Sequence, residues 1–105
     1  MKSRIEDLLP SDVIAEFCRR WKIAELAVFG SALRDDFHAD SDIDLLVSFA
    51  PDADWSLFDH MHMEEELAKA LGRPVDLVSR EAVERSENWI RRKAILDSAR
   101  VIHVA

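Results

Sequence analysis

Three aspartates stand where strand-forming sequence does not favour them. Asp42 and Asp44 lead into the apolar run Ile43-Asp-Leu-Leu-Val-Ser-Phe49, although Asp is depleted in strands. Strand alternation sets both carboxylates on one face, roughly 7 Å apart along the chain. Ile43, Leu45 and Val47 then point the other way, into a core. Two anions so placed repel unless a cation sits between them, and Mg²⁺ prefers such hard oxygen donors. Asp76 interrupts a second apolar run, Val75-Asp-Leu-Val78. If the two strands are neighbours, a third carboxylate joins the same face. Three convergent acids can hold two metals roughly 3.5–4 Å apart, the arrangement used for in-line phosphoryl and nucleotidyl displacement. Solvated strand ends or edge guards are the plainer explanation of the same acids.

Gly30-Ser31 is the second element. The chain has two glycines. Gly72 ends a helical pattern, whereas Gly30 stands where a strand turns, so backbone there can approach a phosphate closely. Ser31 adds an N–H and a hydroxyl, and Arg34 could neutralise a phosphate oxygen. Taken alone, the pair is a strand-ending turn.

The elements that must position these residues alternate along the chain. Ser3 to Glu6 fits a capping box for an opening turn carrying Ile5, Leu8 and Leu9, which Pro10 ends. Ser11 caps a helix over about 12–22, with Val13, Ile14, Phe17, Cys18 and Trp21 at helical spacing. A strand over 25–29 stops at Gly30, and 31–41 reads as a loop. A second strand spans 43–49, followed by a turn at Pro51, Asp52 and Asp54. The next helix covers about 55–71, with Asp54 as its cap, Gly72 as its stop, and Leu57, Phe58, Met61, Ala68 and Leu71 as its buried face. A third strand spans 75–78. Ser79 caps a helical stretch to about 98, with a break near Ser86, and 101–104 closes the chain as an edge strand. The alternation predicts one small sheet with helices packed on it.

Composition bounds the answer. The chain has 105 residues, 49% apolar and 33% charged, which suits a single domain over 1–105 with one core. No apolar run approaches the length of a membrane span, and the acidic start does not read as a signal peptide. A formal net charge of −7 argues against a domain that grips nucleic acid by its phosphates. One cysteine, Cys18, excludes an internal disulfide and suits a reducing cytoplasm. The chain has neither tyrosine nor threonine, so self-modification on those hydroxyls is excluded.

A Gly-Ser pair, ten intervening residues, then Asp-x-Asp opening an apolar strand resembles the signature of the DNA polymerase β-type nucleotidyltransferases. With the short chain, Ser-Asp-Ile-Asp-Leu and Val-Asp-Leu-Val, the sequence is similar to the minimal nucleotidyltransferases, many of which are the MNT antitoxins of HEPN/MNT toxin–antitoxin pairs. The resemblance implies an α+β fold, a small mixed sheet flanked by helices as in a polymerase β palm. It implies that Gly30 and Ser31 hold a nucleotide triphosphate, with Arg34 nearby. Asp42, Asp44 and Asp76 would form the catalytic triad and ligate two Mg²⁺, with ATP as substrate. The implied activity is AMP transfer to a hydroxyl, a tyrosine by family likeness, on a cognate HEPN toxin. Neutralisation of that toxin by stoichiometric binding, and nucleotidylation of a small molecule, stay open as alternatives.

Other signals receive plainer readings. His60 and His62 do not share a helix face and read as solvated, as does Glu64-Glu-Glu66. His38 is a loop histidine and His103 an edge-strand residue. Arg91-Arg-Lys93 is a solvated basic cluster. Cys18 is a core residue. Trp21, Trp55 and Trp89 belong to core or interface, and exposure of Trp55 or Trp89 would mark a partner surface.

Overall fold

The computed structural model describes residues 9–30 and 42–105. The expected opening turn at Ser3–Glu6, and Ser31, Arg34 and His38, lie outside the described residues. Within them run helix α1 (Ser11–Arg20), strands β1 (Ile23–Phe29) and β2 (Ile43–Phe49), and helix α2 (Leu57–Leu71). Strand β3 (Val75–Ser79), helices α3 (Arg80–Glu84) and α4 (Trp89–Ser98), and strand β4 (Arg100–Val104) follow. The strands form one sheet in the order β3-β2-β1-β4. β1 is antiparallel to both β2 and β4, while β2 and β3 are parallel. A parallel pair needs a crossover, and α2 supplies it. The architecture is therefore α+β, a mixed sheet flanked by helices.

Alternation along the strands builds two cores. On one face Ile23, Leu26 and Val28 of β1, Ile43, Leu45 and Val47 of β2, and Leu77 of β3 pack under Ile14, Phe17 and Cys18 of α1 and Met63 and Leu67 of α2. On the other face a smaller cluster gathers Ala27, Phe29 and Leu46 under Val83 of α3 and Ile95 of α4. Cys18 is buried as expected, and burial pushes its thiol up to about 11. Trp21 and Trp55 meet edge to face with centroids 5.0 Å apart. The Trp55 indole N–H also donates to the Trp21 carbonyl, at 2.8 Å, tying the turn before α2 to the end of α1. Among the described residues no helix is long and apolar enough to cross a membrane.

Several local expectations are corrected. Pro10, not Ser11, occupies the cap position of α1, and no side chain caps it. The cap of α2 is Ser56 rather than Asp54: the Asp59 N–H donates to Ser56 Oγ (3.2 Å) and the Ser56 N–H donates to Asp59 Oδ2 (2.9 Å). This reciprocal box satisfies two orphan donors, which Asp54 stands too early to do. The buried stripe of α2 is Met63 and Leu67, while Leu57, Phe58 and Met61 are exposed. Met61 lies roughly 200° round the helix from Met63, so the helix carries two apolar stripes and the sheet takes only one. Gly72 does end α2, in the left-handed region at φ +74°. Ser79 caps α3, and the expected break falls between Glu84 and Trp89.

Nor are the acids and histidine of α2 simply solvated. Glu66 accepts from the Trp21 indole N–H, at 3.1 Å, and pairs with Arg20. Glu64 and His60 reach the backbone of β3. In the basic cluster, Arg92 donates to the Ser86 carbonyl at 2.6 Å and Lys93 pairs with Asp97 at 2.7 Å.

Candidate functional site

The site is built at one end of the sheet, where β1 finishes and β2 and β3 begin. Ile43, Leu45 and Val47 are all buried in the main core. By alternation Asp44 faces the opposite side of the sheet, and Asp42, one alternation upstream, faces the same way. Asp42 is exposed and stands just before β2, whereas Asp44 lies within the strand and is half-buried. In β3 the side chain of Leu77 enters the main core and Val78 packs with the second cluster. Asp76 therefore shares the face of Asp44, and it is exposed.

Register joins these acids to the glycine. Across the parallel pair β2–β3, Asp44 stands directly beside Asp76. Across the antiparallel pair β1–β2, Asp44 stands beside Phe29, and the next residue is Gly30. Gly30 has φ +76°, a region costly for any residue with a Cβ. A Cβ there would also collide with Asp44 Oδ2 and lie 3.3 Å from its Cγ. Glycine is thus required twice, once by the bend and once by the carboxylate lying against it. The bend, Asp44 and Asp76 are brought together in this order, with Asp42 at the mouth of the strand. Ser31 and Arg34 continue the chain from the bend but lie outside the described residues.

The donor set fits a hard divalent cation, for it consists of carboxylate oxygens on one face, open to water and beside a bend without a side chain. Among the described residues no three His, Cys, Asp or Glu side chains are gathered into a ready-made group for a metal ion. What the backbone dictates is the register-aligned pair Asp44 and Asp76. Such an arrangement, next to a glycine bend whose backbone can approach an anion, suits a phosphate-bearing ligand held through a cation.

A four-stranded mixed sheet whose acids share one face beside the Gly30 bend defines an α+β class with a face suited to a phosphate-bearing ligand. Residues 11–102 match the nucleotidyltransferase domain family, and the chain belongs to that family. It is 38% identical over 68 residues to the protein adenylyltransferase MntA of Thermococcus cleftensis, covering 65% of this chain and 67% of that protein. A relative from Methanocaldococcus jannaschii is 33% identical over 64 residues, 61% of this chain and 64% of the relative. The chain thus spans about two thirds of the length of these curated relatives.

Among solved structures, a toxin–antitoxin complex with AMP-PNP superposes with a TM-score of 0.70 at 22% identity, covering 92% of this chain and 75% of that one. A complex of tri-AMPylated Shewanella oneidensis HEPN toxin with MNT antitoxin gives 0.57 at 21% identity, covering 90% and 70%. At such identities these likenesses establish the fold.

Proposed function

We propose that this chain transfers AMP from ATP to a hydroxyl on a cognate HEPN toxin and thereby acts as its antitoxin. The observation that carries the reading is the Asp44–Asp76 register beside Gly30. The name of the Thermococcus relative, a protein adenylyltransferase, supports the reaction class. The toxin complexes of the same fold support the partner.

In this reading Gly30 and Ser31 hold the triphosphate, with Arg34 close by. Asp42, Asp44 and Asp76 would hold Mg²⁺, which would supply neutralisation of the charge on the transferred phosphate and the leaving group. A carboxylate oxygen of Asp76 takes the proton of the attacking hydroxyl. A bond forms from the acceptor's hydroxyl oxygen to the α-phosphorus, the bond from that phosphorus to the α–β bridging oxygen breaks, and pyrophosphate leaves with the electron pair. The acceptor belongs to the partner. The resemblance points to a tyrosine, and this chain has none.

Labelled ATP incubated with the toxin tests the reading. Asp42→Asn and Asp44→Asn each remove one carboxylate charge from the face that also carries Asp76. Transfer should fall at least about a hundredfold, since metal contacts supply several kcal/mol of transition-state stabilisation and each 1.36 kcal/mol is tenfold. The thermal midpoint, measured beside the assay, checks that each variant is folded. Undiminished labelling by Asp42→Asn would end the reading.

A second reading, neutralisation by stoichiometric binding, is favoured by the exposure of Trp89 (61%) and Phe58 (74%), because large exposed apolar side chains mark interaction surfaces. Sub-stoichiometric protein with ATP and Mg²⁺ separates the two. Durable silencing of the toxin supports the enzyme, and a one-to-one requirement indifferent to ATP supports the cap.

A further inference from the structure

We infer that His60 and Glu64 are positioning residues: together they clamp the outer edge of β3 at Leu77 and so hold Asp76 in register with Asp44. The inference rests on the proposed function, because it concerns the acid that reading assigns to proton transfer and metal binding.

β3 is an edge strand of five residues, with one strand neighbour. An edge leaves alternate N–H and C=O groups without sheet partners. At Leu77 both outward groups are taken by side chains. The Leu77 N–H donates to Glu64 Oε2 at 2.8 Å. His60 Nε2 lies 2.6 Å from the Leu77 carbonyl. A carbonyl oxygen only accepts, so Nε2 carries the proton. His60 and Glu64 stand one helical turn apart on α2, and the Leu77 side chain packs in the core with Met63 and Leu67 of the same helix. One helix therefore holds the N–H, the C=O and the side chain of a single residue.

That residue adjoins Asp76. With the polar groups of Leu77 turned outward, those of Asp76 turn inward to β2, where Asp76 pairs with Asp44. The backbone that carries Asp76 is thus gripped by β2 on one side and by α2 on the other. Guarding an edge against aggregation needs only a charge pointing outward. Two directed bonds to one residue beside an acid of the site do more, for they fix where along the sheet that carboxylate stands.

The test uses the full chain, ¹⁵N-labelled for amide exchange, and its toxin with ATP and Mg²⁺ for transfer. Glu64→Ala removes the acceptor and His60→Leu the donor, while Glu64→Gln and His60→Gln keep each bond. In Glu64→Ala the Leu77 amide should exchange at least about tenfold faster, with Ala27 and Leu46, paired between β1 and β2, protected as before. In the Ala and Leu variants kcat should fall about ten- to a hundredfold, the range for losing a group that orients a site residue. The KM for ATP should change less than kcat, because Gly30, Asp42 and Asp44 are untouched while the group that takes the proton is displaced. The Gln variants should recover kcat to within about threefold. A core variant that only loosens packing, Ile23→Val, should leave kcat unchanged.

Leu77 exchange unaltered in Glu64→Ala overturns the clamp. Leu77 released with kcat intact overturns the positioning role and leaves the proposed function standing. A wild-type chain that transfers no AMP removes the proposed function, and the positioning role with it, whatever Leu77 does.

Discussion

The two faces of the sheet are unequal. One is filled from end to end: three strands send Ile23, Leu26, Val28, Ile43, Leu45, Val47 and Leu77 into a core roofed by α1 and α2. Among the described residues the other is filled in its middle, by Ala27, Phe29 and Leu46 under Val83 and Ile95. The same strand shows both patterns. On the first face β2 presents three aliphatic residues in succession, and on the second it presents Asp44, Leu46 and Ser48, with Asp42 just before. Among the described residues, a short helix and a longer one cover the second face around Leu46 and not the end that carries the acids. Stability is therefore concentrated on one face, and the charged groups occupy a surface where burial is not asked of them. Among the described residues the candidate site sits where packing stops, the kind of place where a ligand can enter.

The sharpest way to break this division is to fill the gap beside the acids. Gly30→Ala places a methyl against the Asp44 carboxylate, so the carboxylate or the bend must move. Nucleotide transfer should fall at least about a hundredfold, as expected for a misplacement of about 1 Å at a reacting centre. Gly72→Ala is the matched control. It has nearly the same φ, +74° against +76°, and nothing within 4 Å of the added Cβ. It should lose only the left-handed preference, about 1–2 kcal/mol, with transfer unchanged. Assays of both at a temperature where each is folded decide the matter. Equal losses of transfer would mean that Gly30 matters as a turn and not as a neighbour of Asp44.

Much of this division could be read from residues alone. The bounds of β2 match Ile43–Phe49, because aliphatic and polar residues alternate there and Pro51 follows. The pairing of Asp44 with Asp76 was legible only as a condition, since alternation fixes the face of each acid while register depends on how α2 returns the chain. The burial of α2 was misread for a related reason. Leu57, Phe58 and Met61 form an apolar stripe as plausible as Met63 and Leu67, and only the position of the sheet decides between them. The roles of His60 and Glu64 were hidden because the need they meet, an open edge at Leu77, is created by strand order. The Ser56-x-x-Asp59 box, by contrast, is visible in the sequence, and it competes with Asp54 for the cap and wins because both its bonds form.

On the filled face, Leu67→Ala removes a side chain with no exposed surface from the contact between α2 and the sheet. Urea unfolding should show a loss of about 2–5 kcal/mol, with transfer per folded molecule preserved. A loss below about 1 kcal/mol would show that α2 repacks easily, and the inequality of the faces would weaken.

The buried thiol on the same face gives a smaller effect with a defined pH window. The Cys18 pKa is raised from 9.0 to about 11 by burial, so the unfolded chain releases this proton first as pH rises. The contribution is fully present below pH 9 and is lost as pH climbs through about 11. Two units correspond to at most about 2.7 kcal/mol. Stability of the wild type relative to Cys18→Ala should therefore decline across that window and be flat below it. A flat difference throughout would mean that the thiolate is accommodated without leaving the core.

The smallest expected effect lies on the sparse face. Val83 is 4% exposed and belongs to the second cluster. Val83→Ala removes the area of two methyl groups, about 1.5 kcal/mol at roughly 0.8 kcal/mol for each carbon. The cavity it leaves lies beneath α3, a single five-residue helix that can settle inward, so the extra cavity cost should be small. Leu67, by contrast, is held by a fifteen-residue helix that is also tied to β3 through His60 and Glu64, and cannot follow the missing side chain. Urea midpoints of the two variants, compared in one buffer, measure this directly. If Val83→Ala costs as much as Leu67→Ala, the second face is as rigid as the first, and the openness of the acid-bearing end must be explained by something other than incomplete packing.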